Sequence, residues 1–271
     1  MKIIKHKIVI IGAGNVATQL GKTLKKSSYS ILQVYSKHNS SASNLAKSLT
    51  CDYTTNPQQL NLTADIYIIA VNDDAIIEVV QQLTLKDKIV VHTSGSVEMD
   101  VLKPLTKNYG VFYPLQTFSK TNKVDFKTVP ICLEASNTSS FKTLDLIAKS
   151  ISTDVQKINS SQRKTIHLAA VFACNFSNHL YSIASSILES NNISFDILKP
   201  LIEETANKIK KGAPAEMQTG PAIRNDKKTM DKHLVMLSDN KEYQQLYKLL
   251  SKSIKATTKI KYQQWKISKQ N

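Results

Sequence analysis

The apolar run Ile8-Val-Ile-Ile11 feeds directly into Gly12-Ala-Gly14-Asn-Val-Ala17, and the residues that follow repeat apolar side chains at helical spacing (Val16, Leu20, Leu24). A buried strand, a glycine turn and a helix in immediate succession leave few folds open. Gly12 permits the tight turn, Gly14 lets a diphosphate approach the backbone, and Ala17 allows close helix–strand packing. The first N–H groups of a helix have no intrahelical partner and sit at its positive end, so a phosphate is expected over Gly14, Asn15 and Val16.

The rest of the first half repeats the alternation. Short apolar runs at 8–11, 31–35, 65–71, 88–92, 110–113, 129–133 and 154–158 are separated by helical patterns. Such alternation implies a mainly parallel sheet covered on both faces. The run 65–71 (Asp-Ile-Tyr-Ile-Ile-Ala-Val) is almost wholly apolar, as a central strand requires, while Pro114 and Pro130 suggest sheet edges. After Ser160 the strand pattern stops and long helical stretches follow, at about 161–190, 195–211, 227–238 and 241–262, interrupted by Gly212-Ala-Pro214 and Gly220-Pro221. The expected fold is α/β: a doubly wound, mainly parallel Rossmann sheet over residues 1–158, then a smaller all-helical domain over 159–271, for substrate and dimerisation.

A Rossmann sheet binds a dinucleotide, and the end of the second strand selects which one. An NAD site places an acidic residue there to take the ribose hydroxyls. This chain has Val34-Tyr-Ser36-Lys37-His-Asn-Ser40, without an acid. Ser36 can donate to a 2′-phosphate and Lys37 can neutralise it, so NADP is the expected cofactor. Val71 and Asn72 end a later strand and should approach the second half of the cofactor, as should Thr93 and Ser94 beside His92. Asp73 or Asp74 reads as a helix N-cap. Gln116 and Thr117 are either substrate contacts or part of a plain loop.

Composition narrows the function classes. Cys51, Cys132 and Cys174 are odd in number and widely spaced, which suggests neither a disulfide framework nor a zinc site, and they read as buried small side chains in a cytoplasmic protein. No segment approaches the roughly 18 apolar residues of a membrane span. The formal charge of +15 raises the question of nucleic acid, but the lysines are scattered. The densest stretch, Lys252 to Lys269 with Tyr262 and Trp265, reads as a solvated terminal helix, and nucleic acid is not an expected partner.

In the second half, the helix from His167 to His179 is apolar apart from a few polar groups. At 100° per residue, His167 and Asn178 fall within about 20° of each other and Asn175 about 80° away, so these groups share one broad face. They either line a cavity or are satisfied core residues. Asn225 or Asp226 caps the helix that carries Thr229 and His233, and Arg224 can clamp a carboxylate or phosphate bidentately or form an ion pair.

Taken in order, Gly-Ala-Gly-Asn-Val-Ala, Tyr-Ser-Lys, His-Thr-Ser-Gly-Ser, Tyr-Pro-Leu-Gln-Thr-Phe, the His167–Asn175 helix and Gly-Pro-Ala-Ile-Arg-Asn-Asp resemble a bacterial family along essentially the whole chain. Its members join a Rossmann-like domain to a helical domain of unknown function and are provisionally named NADP oxidoreductases. The N-terminal half also resembles the deazaflavin-dependent NADP reductases and pyrroline-5-carboxylate reductase, and the two-domain plan resembles the β-hydroxyacid dehydrogenases. Those dehydrogenases carry a lysine four residues before an asparagine on the first helix of the second domain. Asn175 matches the asparagine, but Val171 stands at the lysine position and Lys164 lies near the helix start. The resemblance implies hydride transfer to or from a small carbonyl, imine or hydroxy compound, with His167, Asn175 and Arg224 as the catalytic candidates and a homodimer as the assembly. The alternative is an NADP(H)-binding sensor or partner-binding protein without hydride chemistry.

Overall fold

Side chains alternate across the first strand, Ile8 and Ile10 packing on one face and Val9 and Ile11 on the other, all fully buried. This explains why the run is uniformly apolar: a strand covered on both faces has no solvent side. Each such side chain removed from water contributes about 1.5–3 kcal/mol. The computed structural model describes residues 6–268, with side chains described through Thr257. The stretch around Lys259, Tyr262 and Trp265 lies outside the described side chains, and Lys269 outside the described residues.

Eight strands form one sheet among the described residues: β1 (Lys7–Ile11), β2 (Ser30–Tyr35), β3 (Asp52–Thr54), β4 (Ile66–Ile69), β5 (Ile89–His92), β6 (Asn108–Pro114), β7 (Ile131–Ala135) and β8 (Val155–Lys157). Their spatial order is β3-β2-β1-β4-β5-β6-β7-β8, and every pair is parallel except β6 with β7. The doubly wound arrangement is as expected. Strand order reverses between β1 and β4, which opens a crevice at the carboxyl ends of the strands. Helices α1 (Asn15–Lys26), α2 (Asn39–Leu49), α3 (Asp73–Gln82) and α4 (Thr138–Ile151) cover the faces. Leu20 and Leu24 of α1 join the Ile8/Ile10 side, and Ile76, Val79 and Val80 of α3 join the Val9/Ile11 side.

Two details depart from the sequence reading. The three-residue β3 is too short and too polar to show as an apolar run. The sheet edges are β3 and β8, whereas Pro114 closes interior strand β6 and Pro130 precedes β7. Both prolines sit at strand ends, where the missing N–H costs the ladder nothing; the Pro130 carbonyl still accepts from Leu115 N–H at 2.8 Å.

The helical half begins with α5 (Ser160–Ala170), opened by a capping box in which Asn159 and Gln162 satisfy each other's backbone N–H. A π-helical turn (Val171–Phe176) separates it from α6 (Ser177–Glu189), so the stretch expected as one helix carries an inserted residue. Face angles reckoned at 100° per residue therefore do not carry from His167 through to Asn178. A short 3-10 turn (Phe195–Leu198), α7 (Lys199–Lys208), α8 (Lys227–Met236) and α9 (Lys241–Ser268) follow. Asp226 caps α8, accepting from Thr229 N–H at 3.1 Å. The chain forms two compact units, the first ending at Asn175 and the second beginning at Phe176. Helix α5 thus belongs with the sheet, past the boundary expected at 158. Among the described residues no helix is long and apolar enough to cross a membrane, and no group of three metal-ligating side chains is gathered.

Candidate functional site

The turn after β1 is built as the glycines require. Gly12 has φ +117°, and a Cβ there would lie 2.2 Å from the Ala70 carbonyl oxygen, so no other residue fits without moving β4. Its N–H donates to the Tyr35 carbonyl at 2.7 Å, tying the turn to β2. Gly14 is different: a Cβ there would meet nothing within 4 Å. The protein does not need glycine at this point for its own packing, whereas a ligand approaching the backbone does. Gly14 is also the N-cap of α1, with no capping side chain and no acid in the first turn, so the N–H groups there are left for an anion. These residues fit the diphosphate of a dinucleotide.

A cavity of about 300 Å³ extends from this turn and is lined by Gly12, Gly14, Ser36, Lys37, Val71, Asn72 and Lys120, among others. Six of the residues singled out from sequence are thereby brought together. Asn15 is adjacent, but its side-chain amide donates to the Phe118 carbonyl at 2.9 Å, so its backbone N–H is what it offers a phosphate. Val16 packs against the core. Lys37 is ion-paired with Glu78 of α3 at 2.5 Å, and the ammonium holds that carboxyl below the usual carboxylate range. Glu78 comes from another element, a proximity no local motif displays.

Further along the same sheet edge, the ends of β4, β5 and β6 gather polar groups. Asn72, not Asp73 or Asp74, is the N-cap of α3; Asp73 begins the helix and accepts from the Ser96 hydroxyl. Thr93 and Ser94 are buried, and Ser94 Oγ accepts the N–H groups of Ser96 and Val97 at 3.1 Å each, which shapes the turn. His92 is fully buried between the Ser94 N–H and the Glu98 carbonyl. Burial, reinforced by the Arg163 charge, lowers its pKa to about 4. It is therefore a neutral structural histidine at neutral pH. Gln116 and Thr117 are exposed and bond to each other.

His167, on α5, meets Tyr113 at the end of β6: Tyr113 Oη and His167 Nδ1 lie 3.2 Å apart, with the rings edge to face. A Cβ on Gly95 would come within 2.6 Å of His167 Nδ1, so the loop after β5 closes on the pair only because residue 95 is glycine. Burial pushes the Tyr113 phenol up to about 12. What aims α5 is a buried ion pair one turn earlier, Arg163 Nη1 to Glu134 Oε2 of β7 at 2.5 Å. Arg163 also donates to the Val97 carbonyl, and Ser160 donates to Glu134 at 2.7 Å. Neither Tyr113 nor Arg163 stood out in the sequence.

The other helical candidates belong to different units. Asn175 is exposed within the π turn, and Arg224 is exposed in the second unit, near Asp226. His233, also in that unit, bonds to the Tyr247 hydroxyl at 2.9 Å. Of the cysteines, Cys132 is buried as expected, Cys51 is half-buried, and Cys174, within the π turn, is exposed.

Comparison with known proteins places these features. Residues 1–116 match a Rossmann-like domain and residues 129–254 a domain of unknown function, DUF2520. A crystal structure of BF3122 from Bacteroides fragilis, provisionally named an NADP oxidoreductase, is 45% identical with a TM-score of 0.89, over 93% of this chain and 98% of that one. Protein TM1727 from Thermotoga maritima is 22% identical with a TM-score of 0.78, over 93% and 99%. At 15% identity and a TM-score of 0.63, over 94% and 98%, the 1-pyrroline-5-carboxylate reductase of Streptococcus pyogenes shares the fold. No curated protein matches in sequence.

Proposed function

This chain belongs to the family that joins a Rossmann-like domain to a C-terminal DUF2520 domain, and on that premise we propose that it is a cytoplasmic NADP(H)-dependent oxidoreductase acting on a small carbonyl, imine or hydroxy compound. The observation that carries the reading is the Tyr113–His167 pair, standing at the same sheet edge as the Gly12–Gly14 cradle. Registered rows join Ile11, Ile69, His92 and Val111 across β1, β4, β5 and β6. Three strand spacings of about 4.8 Å separate β6 from β1 along the carboxyl ends of the strands, on the side opposite to Ser36 after β2, which supports a position for the pair toward the nicotinamide half of a dinucleotide.

A bound nicotinamide supplies or takes the hydride; the chain must handle the accompanying proton. With Nδ1–H donating to Tyr113 Oη, Nε2 of His167 is left to gain and lose a proton. Tyr113, with its pKa near 12, accepts that bond as a neutral phenol and places no negative charge beside the ring. His167 would then give a proton to the oxygen or nitrogen of the C=O or C=N bond whose carbon receives the hydride, in the role the dehydrogenase lysine would fill if Val171 did not replace it. Asn175 would orient the substrate oxygen and Arg224, from its own or a partner subunit, a substrate carboxylate. His167→Ala is expected to keep NADPH affinity and lower turnover about 10²-fold. The assay is NADPH oxidation against small keto acids, imines and aldehydes. Equal turnover in both proteins would make His167 structural. Tight NADPH binding without turnover of any substrate would favour the sensor alternative.

For the cofactor, Ser36 and Lys37 support NADP over NAD, with Glu78 as a competitor for the same ammonium. NADPH is expected to bind several-fold more tightly than NADH, and Lys37→Asp to erode the preference by about 1 kcal/mol, the low end for a charge-assisted bond to a half-exposed lysine. Superimposable titrations of wild type with the two cofactors would refute it.

A homodimer through the helical half is the proposed assembly. In the second unit only Ala222 and Met230 are buried apolar residues among those described, while Leu180, Ile187, Ile197, Leu201, Val235 and Met236 are exposed. That much apolar surface calls for a partner. Light scattering should report twice the 30.2 kDa chain mass, and a monomer at micromolar concentration would contradict it.

A further inference from the structure

The loop 115–125 after β6 is not free to wander, because α1 holds it. Asn15 Nδ2 donates to the Phe118 carbonyl at 2.9 Å, and Gln19 Nε2 donates to the carbonyls of Ser119 and Asn122 at 2.6 and 2.8 Å. Gln19 is itself buried, so its two bonds are partly shielded from water, and the Phe118 ring stacks on buried Phe126 at 5.4 Å. Three carbonyls fixed over the first two turns of α1 leave Lys120 at the wall of the cavity that contains Gly12 and Gly14.

Among the described residues Lys120 has no carboxylate partner, whereas Lys37, on the same cavity, is already paired with Glu78. An unpaired ammonium beside a helix N-terminus concentrates positive potential where the turn leaves room for an anion. We propose that Lys120 binds the pyrophosphate of the dinucleotide, the loop 115–125 acting as a preformed arm that α1 holds over its own N-terminus. The proposal rests on the dinucleotide reading of this site and adds a binding residue to it. Because the loop is tied to Asn15 and Gln19, in the first turns of α1, the contact should be shared by NADPH and NADH, although Ser36 lines the same cavity. Lys123, exposed on the same loop but not lining this cavity, provides the control.

The test is a fluorescence titration of the full chain with NADPH and with NADH, for wild type, Lys120→Ala, Lys120→Glu and Lys123→Ala. Lys120→Ala should weaken both cofactors by about tenfold and leave their ratio unchanged, as expected for one lost charge-assisted bond. Lys120→Glu should weaken both further, and Lys123→Ala should match wild type. Weakening of NADPH alone would overturn the pyrophosphate assignment by moving Lys120 to the 2′-phosphate. Unchanged affinity in Lys120→Ala, or an equal loss in Lys123→Ala, would overturn a specific contact altogether. A wild type that binds neither cofactor would instead defeat the dinucleotide reading, before any variant is compared.

Discussion

Replacing Glu134 by alanine is expected to destabilise the sheet-containing unit by about 3–5 kcal/mol, because it strands a buried charge. The Arg163 side chain is 1% exposed and Glu134 17%, so water cannot take over the lost contact. Arg163 Nη2 would keep the Val97 carbonyl and Ser160 Oγ, but Nη1 would lose its carboxylate. Its Nε already lacks a partner. The pair is not a simple gain in stability, since two ions have been desolvated to form it. Hence the double variant Glu134→Leu with Arg163→Met should recover most of what Glu134→Ala loses. Hydrogen exchange of β5, β6 and β7 amides reads the effect on this unit directly. A loss under 1 kcal/mol in Glu134→Ala would show that the pair is wet and contributes little. The same variant tests function, because residue 163 lies one helical turn before His167. The double variant should fold yet turn over more slowly than wild type, as its first turn no longer pins α5 to Val97.

Much of this was legible in the sequence, and the reason is local. Strand β1, its glycine turn and α1 are contiguous, so the motif shows in one stretch of chain, although the clash that demands glycine at 12 comes from Ala70, beyond β4. The order of apolar runs implied the parallel sheet for the same reason. What sequence did not show is long-range: Glu78 reaching Lys37, Glu134 reaching Arg163, Tyr113 reaching His167. Each pairs residues on different elements, with no spacing rule to link them. The π turn was hidden as well, since its residues Val171 to Phe176 have the composition of an ordinary helix. The beginning of α5 looked like the start of a second domain because strands end there. The ion pair that binds it to the sheet lies in side-chain chemistry that hydrophobic periodicity does not report.

Acidification should weaken the first unit through His92 before its exposed carboxylates respond. His92 is buried and its pKa is lowered from 6.5 to about 4, first by loss of water and second by the Arg163 charge; the Glu98 carbonyl and Asp73 offset part of this. A group whose native form resists protonation stabilises the fold above its unfolded pKa. Below that value the unfolded chain takes up a proton that the folded chain refuses, so stability falls as pH drops from about 6.5 to about 4 and levels off below. Two and a half pK steps at 1.36 kcal/mol each amount to about 3 kcal/mol over that window. Glu78 and Glu98, lowered from 4.5 by their lysine partners, lose stabilisation in the same direction but only at lower pH, which keeps the two effects separable. The measurement is the urea midpoint of the first unit, read by exchange of its sheet amides at several pH values, for wild type and His92→Gln. The slope and not the absolute midpoint is decisive: wild type should lose stability from pH 6.5 to 4, and His92→Gln should be nearly flat there. Equal slopes would mean that His92 titrates normally in the folded protein and that water reaches it beneath the Ser94 turn.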